Sequence, residues 1–224
     1  MIAKQKKKNS GAIGILDLQG GVYEHLDHLQ RLGITARRVK HASDFNDLAG
    51  LIIPGGESSC IARLLDIFAI KQPLLKACER GMKIWGTCAG AILLAQKVVG
   101  EASSLGLIDI EIKRNSFGSQ LDSFKSEARI PEVADDPIPL TFIRAPKIVR
   151  VGKDVNVLLK VKDYIAAAES ESILVTVFHP ELTGSLAFHR YFAAKCGLNP
   201  AVNTRSCSEQ QWNYDSWTRL ARSV

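Results

Sequence analysis

The sequence predicts a single-domain α/β protein with a mostly parallel central sheet flanked by helices and an additional antiparallel or mixed portion. Three observations carry that expectation. The first hundred residues alternate short apolar runs with amphipathic segments, as a parallel, doubly wound sheet requires. Three of the runs end in small residues, DLQGG (17–21), IIPGGESS (52–59) and IWGTCAG (84–90), and ligands of such sheets bind beyond the C-terminal strand ends. After Gly106 the alternation gives way to strands punctuated by proline.

Taken in order, AIGILDLQG (12–20) is a strand running into glycine, and VYEHLDHLQRLG (22–33) places Leu26, Leu29 and Leu32 at helical spacing before a glycine stop. TARRVKH (35–41) and LAGLIIPGG (48–56) supply the next two strands; the apolar run of the second reads as buried on both faces. In ESSCIARLLDIFAI (57–70), Ser58 or Ser59 can cap a helix with Ile61, Leu64, Leu65 and Phe68 on one face. Pro73 and Gly81 bracket a shorter helix. MKIW (82–85) is a strand that turns through Gly-Thr-Cys-Ala-Gly into an alanine- and leucine-rich helix.

Beyond Gly106, residues 108–124 alternate like an exposed or edge strand, LTFIRA (140–145) and KIVRV (147–151) are strands, and 155–183 offers three more, with turns near Asp163 and Glu171. SLAFHRYFAAKCG (185–197) closes the body as an amphipathic helix. The expected organisation is a basic disordered tail at 1–10, one functional domain at 11–199 and a polar tail at 200–224.

Composition narrows the function classes. A hydrophobic fraction of 46% and a charged fraction of 23% are those of a soluble globular protein. No apolar run has the roughly 18 residues of a spanning helix, and MIAKQKKKNS lacks the apolar segment of a signal peptide, so a cytoplasmic protein without a membrane role is expected. Of the net charge of +6, Lys4, Lys6, Lys7 and Lys8 supply four, leaving +2 for the rest. With no aromatic residues interleaved among those lysines, no nucleic-acid partner is expected. Cys60, Cys78, Cys88, Cys196 and Cys207 form no CxxC pair, which argues against a disulfide framework or a zinc site; neither metal nor cofactor is expected.

The chemistry concentrates at Cys88. A G-x-S-x-G elbow puts a nucleophile on a tight strand-to-helix turn, and GTCAG has the same spacing with sulfur in place of oxygen. The helix start also favours an anion there, and the thiolate is the form that attacks carbon. The competing reading is a small buried hydrophobe in a glycine-bracketed turn. FHPEL (178–182) follows a valine-rich strand and sets His179 and Glu181 two residues apart, where a period of two would point both to one side. Cys88, His179 and Glu181 thus supply a nucleophile, a base and a group to orient the base. Should another base serve, His25, His28, His41 and His189 remain, of which His25 and His28 fall in a helical surface pattern.

PGGES (54–58), GTCAG (86–90) and HPE (179–181) resemble the three signatures of the class I, triad-type glutamine amidotransferases. LQGGVYEH (18–25), LIIPGGESS (51–59), RNSFGSQLDSF (114–124), FIRAP (142–146) and FHPELT (178–183) are similar to the glutaminase-subunit family of pyridoxal 5′-phosphate synthase, over about residues 12 to 197. Ser119 and Lys125 depart from that pattern, where the family more often has Arg and Glu.

The resemblance implies that Cys88 attacks the side-chain amide carbon of L-glutamine, that His179 carries a proton to departing ammonia, and that Glu181 holds His179. It implies that Gly56, Glu57 and Ser58 line the glutamine pocket, with Arg114 and the pair Ile143–Arg144 on its other side. Gly55 and Gly56 let backbone N–H groups approach an oxyanion together with the N–H of Ala89, and a guanidinium such as Arg114 suits an α-carboxylate. The implied partner is the synthase subunit, which takes the ammonia within a hetero-oligomer and builds pyridoxal 5′-phosphate from a pentose phosphate and a triose phosphate. Three other readings use the same fold: another triad amidotransferase that feeds a different synthase, against which the RNSFG and FIRAP segments argue; a non-catalytic binding module; and a cysteine peptidase. An intact Cys88, His179 and Glu181 set argues against the binding module, and the peptidase predicts peptide turnover.

Overall fold

Four runs whose side chains are almost wholly buried form the parallel part of the sheet in a computed structural model that describes residues 11–114 and 123–200. They are β1 (Ala12–Leu16), β3 (Leu48–Ile53), β4 (Lys83–Thr87) and β12 (Ile173–Thr176), and burial on both faces explains why they read as continuous apolar runs. β2 (Ala36–Val39) lies outside β1 and is half-exposed, as an edge strand can be. The order β2-β1-β3-β4 is parallel throughout; α1 (Val22–Arg31) joins β1 to β2, a 3-10 turn at Ala42–Phe45 joins β2 to β3, and α2 (Ser58–Ile67) and α3 (Lys71–Glu79) join β3 to β4. The expected doubly wound half is therefore present.

The second half is mixed. β5 (Ala95–Val98), β6 (Ile108–Lys113), β9 (Lys147–Val151) and β11 (Tyr164–Glu169) continue the same sheet as β4-β12-β11-β9-β6-β5, with β10 (Asn156–Val161) paired to β11. The pairs β12–β11, β11–β9 and β9–β6 are antiparallel, whereas β12 rejoins β4 in parallel. β7 (Phe124–Ile130) and β8 (Ala134–Phe142) form a separate antiparallel ribbon. β8 starts earlier than the sequence suggested and carries Pro137 and Pro139. Prolines fit because β8 pairs only with β7 and so need not donate on both sides. Ser119 lies outside the described residues, and Lys125 is exposed on β7.

Three local expectations change. The cap of α2 is Glu57, whose carboxylate accepts from the Ser59 N–H at 3.4 Å, rather than Ser58 or Ser59. Pro73 sits inside the first turn of α3, where the missing N–H has no intrahelical partner to lose. The helix after Cys88 stops at Leu94, and Ala95 is already extended, because AQKV is needed as β5 beside β6. α5 (Ala187–Lys195) then packs on α1 and buries Phe188 and Phe192 around Trp85. Each such large side chain contributes roughly 1.5–3 kcal/mol on burial.

Candidate active site

Adjacent parallel strands bring the triad together. β12 and β4 run in register to Thr176 opposite Thr87, so the residues that follow each strand leave the sheet side by side. The Cys88 N–H donates to the Thr176 carbonyl at 2.8 Å, and the His179 N–H donates to the carbonyl of Thr141 in β8 at 2.8 Å. Two backbone bonds therefore fix where each turn begins.

Cys88 has φ 47° and ψ −100°, a conformation L residues rarely adopt and one of the strained nucleophile-elbow type. The flanking glycines are there for space. A Cβ on Gly86 would lie 2.5 Å from the Gly90 backbone, and one on Gly90 would lie 2.1 Å from the Ile53 carbonyl oxygen. The turn can form only if both are glycine. α4 (Ala89–Leu94) starts at once, and the first N–H groups of a helix have no intrahelical partner. The Ala89 N–H is therefore available beside the thiol.

His179 Nδ1 lies 2.7 Å from Glu181 Oε1, so that nitrogen donates and Nε2 is left for the thiol. This pairing does not arise from strand periodicity as expected. β12 ends at Thr176, and Pro180–Leu182 is a 3-10 turn with proline at its start, which swings the carboxylate back under the imidazole. Burial alone would lower the pKa of His179, but the Glu181 charge and the hydrogen bonds to Cys88 and Glu181 raise it well above its usual value. Burial likewise opposes ionisation of Glu181, and the charge of His179, the nearby His25 ring and the hydrogen bond from His179 outweigh it, taking it down to about 2. The pair sits ready as imidazolium and carboxylate.

The glycine loop after β3 forms the opposite wall. A Cβ on Gly55 would lie 2.3 Å from His179 Cε1 and 3.4 Å from Cys88 Cβ, so any side chain there would strike the imidazole. Gly55→Ala is expected to push the imidazole off its line and lower kcat/KM about 100-fold, since a displacement near 1 Å costs that much. Steady-state kinetics on a variant that melts like wild type checks this. Gln19 Oε1 accepts from the Glu57 N–H at 2.8 Å and pins the loop from the DLQGG side. Sequence reasoning missed Gln19, although it lies in one of the three glycine-bounded strand ends.

Arg114 directly follows β6 and bridges two carboxylates, Glu57 and Glu101, each at 2.7 Å. Ser58 and Arg114 share a cleft of about 260 Å³ with Ser59, Ile92 and Glu101. Ile143 and Arg144 do not line that cleft. They follow Phe142 of β8, two and three residues past the Thr141 carbonyl that receives the His179 N–H, and Arg144 has φ 44°. The predicted residues thus fall into two groups, and neither Cys88 nor His179 lines the cleft that Ser58 and Arg114 share. Residues 115–122 of the RNSFG segment lie outside the described residues.

The surface reading of His25 and His28 is wrong. The buried stripe of α1 is Val22, His25, His28 and Leu29, while Leu26 is only half-buried. The signal was present: His25 falls three residues after Val22 and four before Leu29, on the same face. His41, by contrast, is exposed.

Burial lowers the pKa of His25 to about 4, despite the Glu181 charge, and also lowers those of His28 and His189. Below pH 6.5 the unfolded chain protonates these histidines more readily than the native one does. Stability should therefore fall as pH drops from 6.5 towards 4, with His25 alone accounting for about 3 kcal/mol. Glu181 adds a further loss below its unfolded value of 4.5. His179 is protonated in both states in that window and does not offset the loss. Urea midpoints measured between pH 6.5 and 4.5 test this; a flat profile would mean that the histidines titrate normally.

Residues 15–198 match the SNO glutamine amidotransferase family. The chain is 58% identical to a pyridoxal 5′-phosphate synthase subunit PdxT of Syntrophus aciditrophicus, over 100% of both chains. It is 47% identical to a protein of the same name from Clostridium botulinum, covering 82% of this chain and 96% of that one. A crystal structure of a glutamine amidotransferase superposes with a TM-score of 0.79 at 38% identity, covering 84% of this chain and 100% of the other. The PurLQS structure from Thermotoga maritima, at 19% identity and a TM-score of 0.61, shares the fold.

Proposed function

The chain belongs to the SNO glutamine amidotransferase family, and from that membership and its full-length likeness to a synthase subunit we infer that it is the glutaminase subunit of a pyridoxal 5′-phosphate synthase. It converts L-glutamine to L-glutamate and ammonia for a synthase subunit. The observation that carries the assignment of roles is the His179–Glu181 contact of 2.7 Å at the end of a strand in register with the one that presents Cys88.

In the reaction, Cys88 Sγ as thiolate adds to the side-chain amide carbon of glutamine, and the carbonyl oxygen becomes an oxyanion. Backbone N–H groups at Gly55–Gly56 and at Ala89 receive that charge; one such donor is worth about 2.7–4 kcal/mol. The imidazolium of His179 gives its Nε2 proton to the amide nitrogen, the C–N bond breaks, ammonia leaves and a thioester remains on Cys88. Neutral His179 then takes a proton from water, hydroxide adds to the thioester, and glutamate departs with the thiolate restored. Glu181 keeps Nδ1 of His179 protonated throughout. Arg114 binds the α-carboxylate, Glu57 and Ser58 line the same wall, and the Ile143–Arg144 backbone closes the other. Arg144 and Cys88 both hold strained backbone geometry, which supports functional roles for the two turns.

Ammonia release from L-glutamine by the chain mixed with the synthase subunit tests the activity; no release would refute it. The roles are separable. His179→Asn is expected to be nearly inactive, whereas Glu181→Gln keeps about 10- to 100-fold more activity, because an orienting group matters less than the base it orients. Equal losses would mean that Glu181 does more than orient.

A further inference from the structure

Glu181 has a second oxygen that the triad does not use. Oε2 is buried and has no hydrogen-bond partner within normal reach, and 3.6 Å from it lies His25 Nε2, also buried and also unpartnered. The other nitrogen of His25, Nδ1, is 2.8 Å from Nε2 of the buried His189. Trp85 meets both imidazoles edge-on, with ring centroids 5.6 and 4.9 Å away. Two helices, α1 and α5, therefore deliver a pair of histidines to the back of the triad.

We propose that His25 is a positioning residue for the glutaminase reaction, its Nε2–H directed at Glu181 Oε2 across 3.6 Å while His189 holds it in that tautomer; the inference rests on the proposed roles of Cys88, His179 and Glu181. The protons can be placed by elimination. A carboxylate only accepts, so Nε2 of His25 must carry the hydrogen and its Nδ1 must accept. His189 must then donate from Nε2, which leaves its Nδ1 as a bare acceptor, and that atom is the one without a partner. The opposite arrangement would set the His25 lone pair against a carboxylate oxygen in a buried site. The carboxylate thus imposes one tautomer on both rings, and the rings in return fix the carboxylate plane in which His179 is held. His28 braces the same turn, with Nε2 3.0 Å from the Thr183 carbonyl.

The test uses the chain assembled with its synthase subunit. His25→Leu should lower kcat about 10- to 100-fold while leaving the KM for glutamine within about 2-fold, as loss of an orienting partner behind a catalytic ligand does. His25→Gln, whose amide nitrogen can reach where Nε2 was, should recover kcat to within about 5-fold of wild type. A role confined to stability would lower the melting temperature of His25→Leu without this split and without rescue. A folded His25→Leu with wild-type kcat, or a His25→Gln no better than His25→Leu, overturns the proposal. Nitrogen-15 spectra of the wild-type chain supply an arm independent of any variant: both His25 and His189 must be Nε2–H tautomers, and an Nδ1–H signal from His25 overturns it. Wild type that releases no ammonia would instead defeat the functional reading, with the tautomers still open to measurement.

Discussion

Cys88→Ala is expected to abolish ammonia release from glutamine, by about 10⁴-fold or more, with the fold unchanged. The substitution deletes one atom from a turn whose geometry is held elsewhere. The Cys88 N–H bond to Thr176 and the close approaches at Gly86 and Gly90 are backbone features that alanine keeps, so stability should move by no more than about 1 kcal/mol. Cys88→Ser should also be inactive, since the proposed attack needs a sulfur nucleophile and a serine hydroxyl is a far weaker one near neutral pH.

The other described cysteines serve as controls. Burial pushes the Cys196 thiol up to about 12 and raises that of Cys78, so neither offers a nucleophile near neutral pH, and Cys60 is exposed on α2. Replacing any of them should leave glutamine turnover near wild type, and an electrophilic glutamine analogue should label Cys88 first. Mass spectrometry of the labelled chain and an ammonia assay decide the matter: near-normal release by Cys88→Ala removes the mechanism.

What the sequence discloses follows from which interactions are local. The parallel strands were legible because burial on both faces leaves continuous apolar runs, and the elbow was legible because its glycines are required by contacts within a few residues or with the next strand. His179 and Glu181 are legible as a pair, although strand alternation does not account for their contact. A 3-10 turn, not strand alternation, brings Nδ1 to the carboxylate. The end of the elbow helix at Leu94 was not legible, since AILLAQKV suits a helix and becomes β5 only because β6 needs a neighbour. Likewise His25 and His189 are separated by 164 residues, and no local pattern shows that their rings meet. Only the position of His25 on the Val22–Leu29 face hinted that it was buried.

Saturating synthase subunit is expected to raise the glutamine turnover of the isolated chain about 10- to 100-fold. Ammonia released into water is protonated and lost to the synthesis, so hydrolysis is useful only when an acceptor is in place. The structure suggests how docking reaches the chemistry. The DLQGG turn and the Gly55–Gly56 loop stand at neighbouring strand ends, and a Cβ on Gly20 would lie 1.8 Å from the Gly55 carbonyl oxygen, so the two backbones are in direct contact.

That carbonyl also accepts from the Gly21 N–H at 3.4 Å, and Gln19 holds the Glu57 N–H. In a trans peptide the N–H points opposite the C=O, so the direction of the Gly55 carbonyl dictates where the Gly56 N–H points. A partner seated on the DLQGG turn can therefore select the orientation of an oxyanion donor without touching Cys88. Adjacent glycines make the competing orientations close in energy. If the productive form is populated at about 1–10% in the free chain, full selection yields the stated rise and no more. Glutamine turnover with and without saturating synthase measures it directly. Equal rates would show that the free chain already holds a complete oxyanion site, and activation by docking would be wrong even with the Cys88, His179 and Glu181 assignments intact.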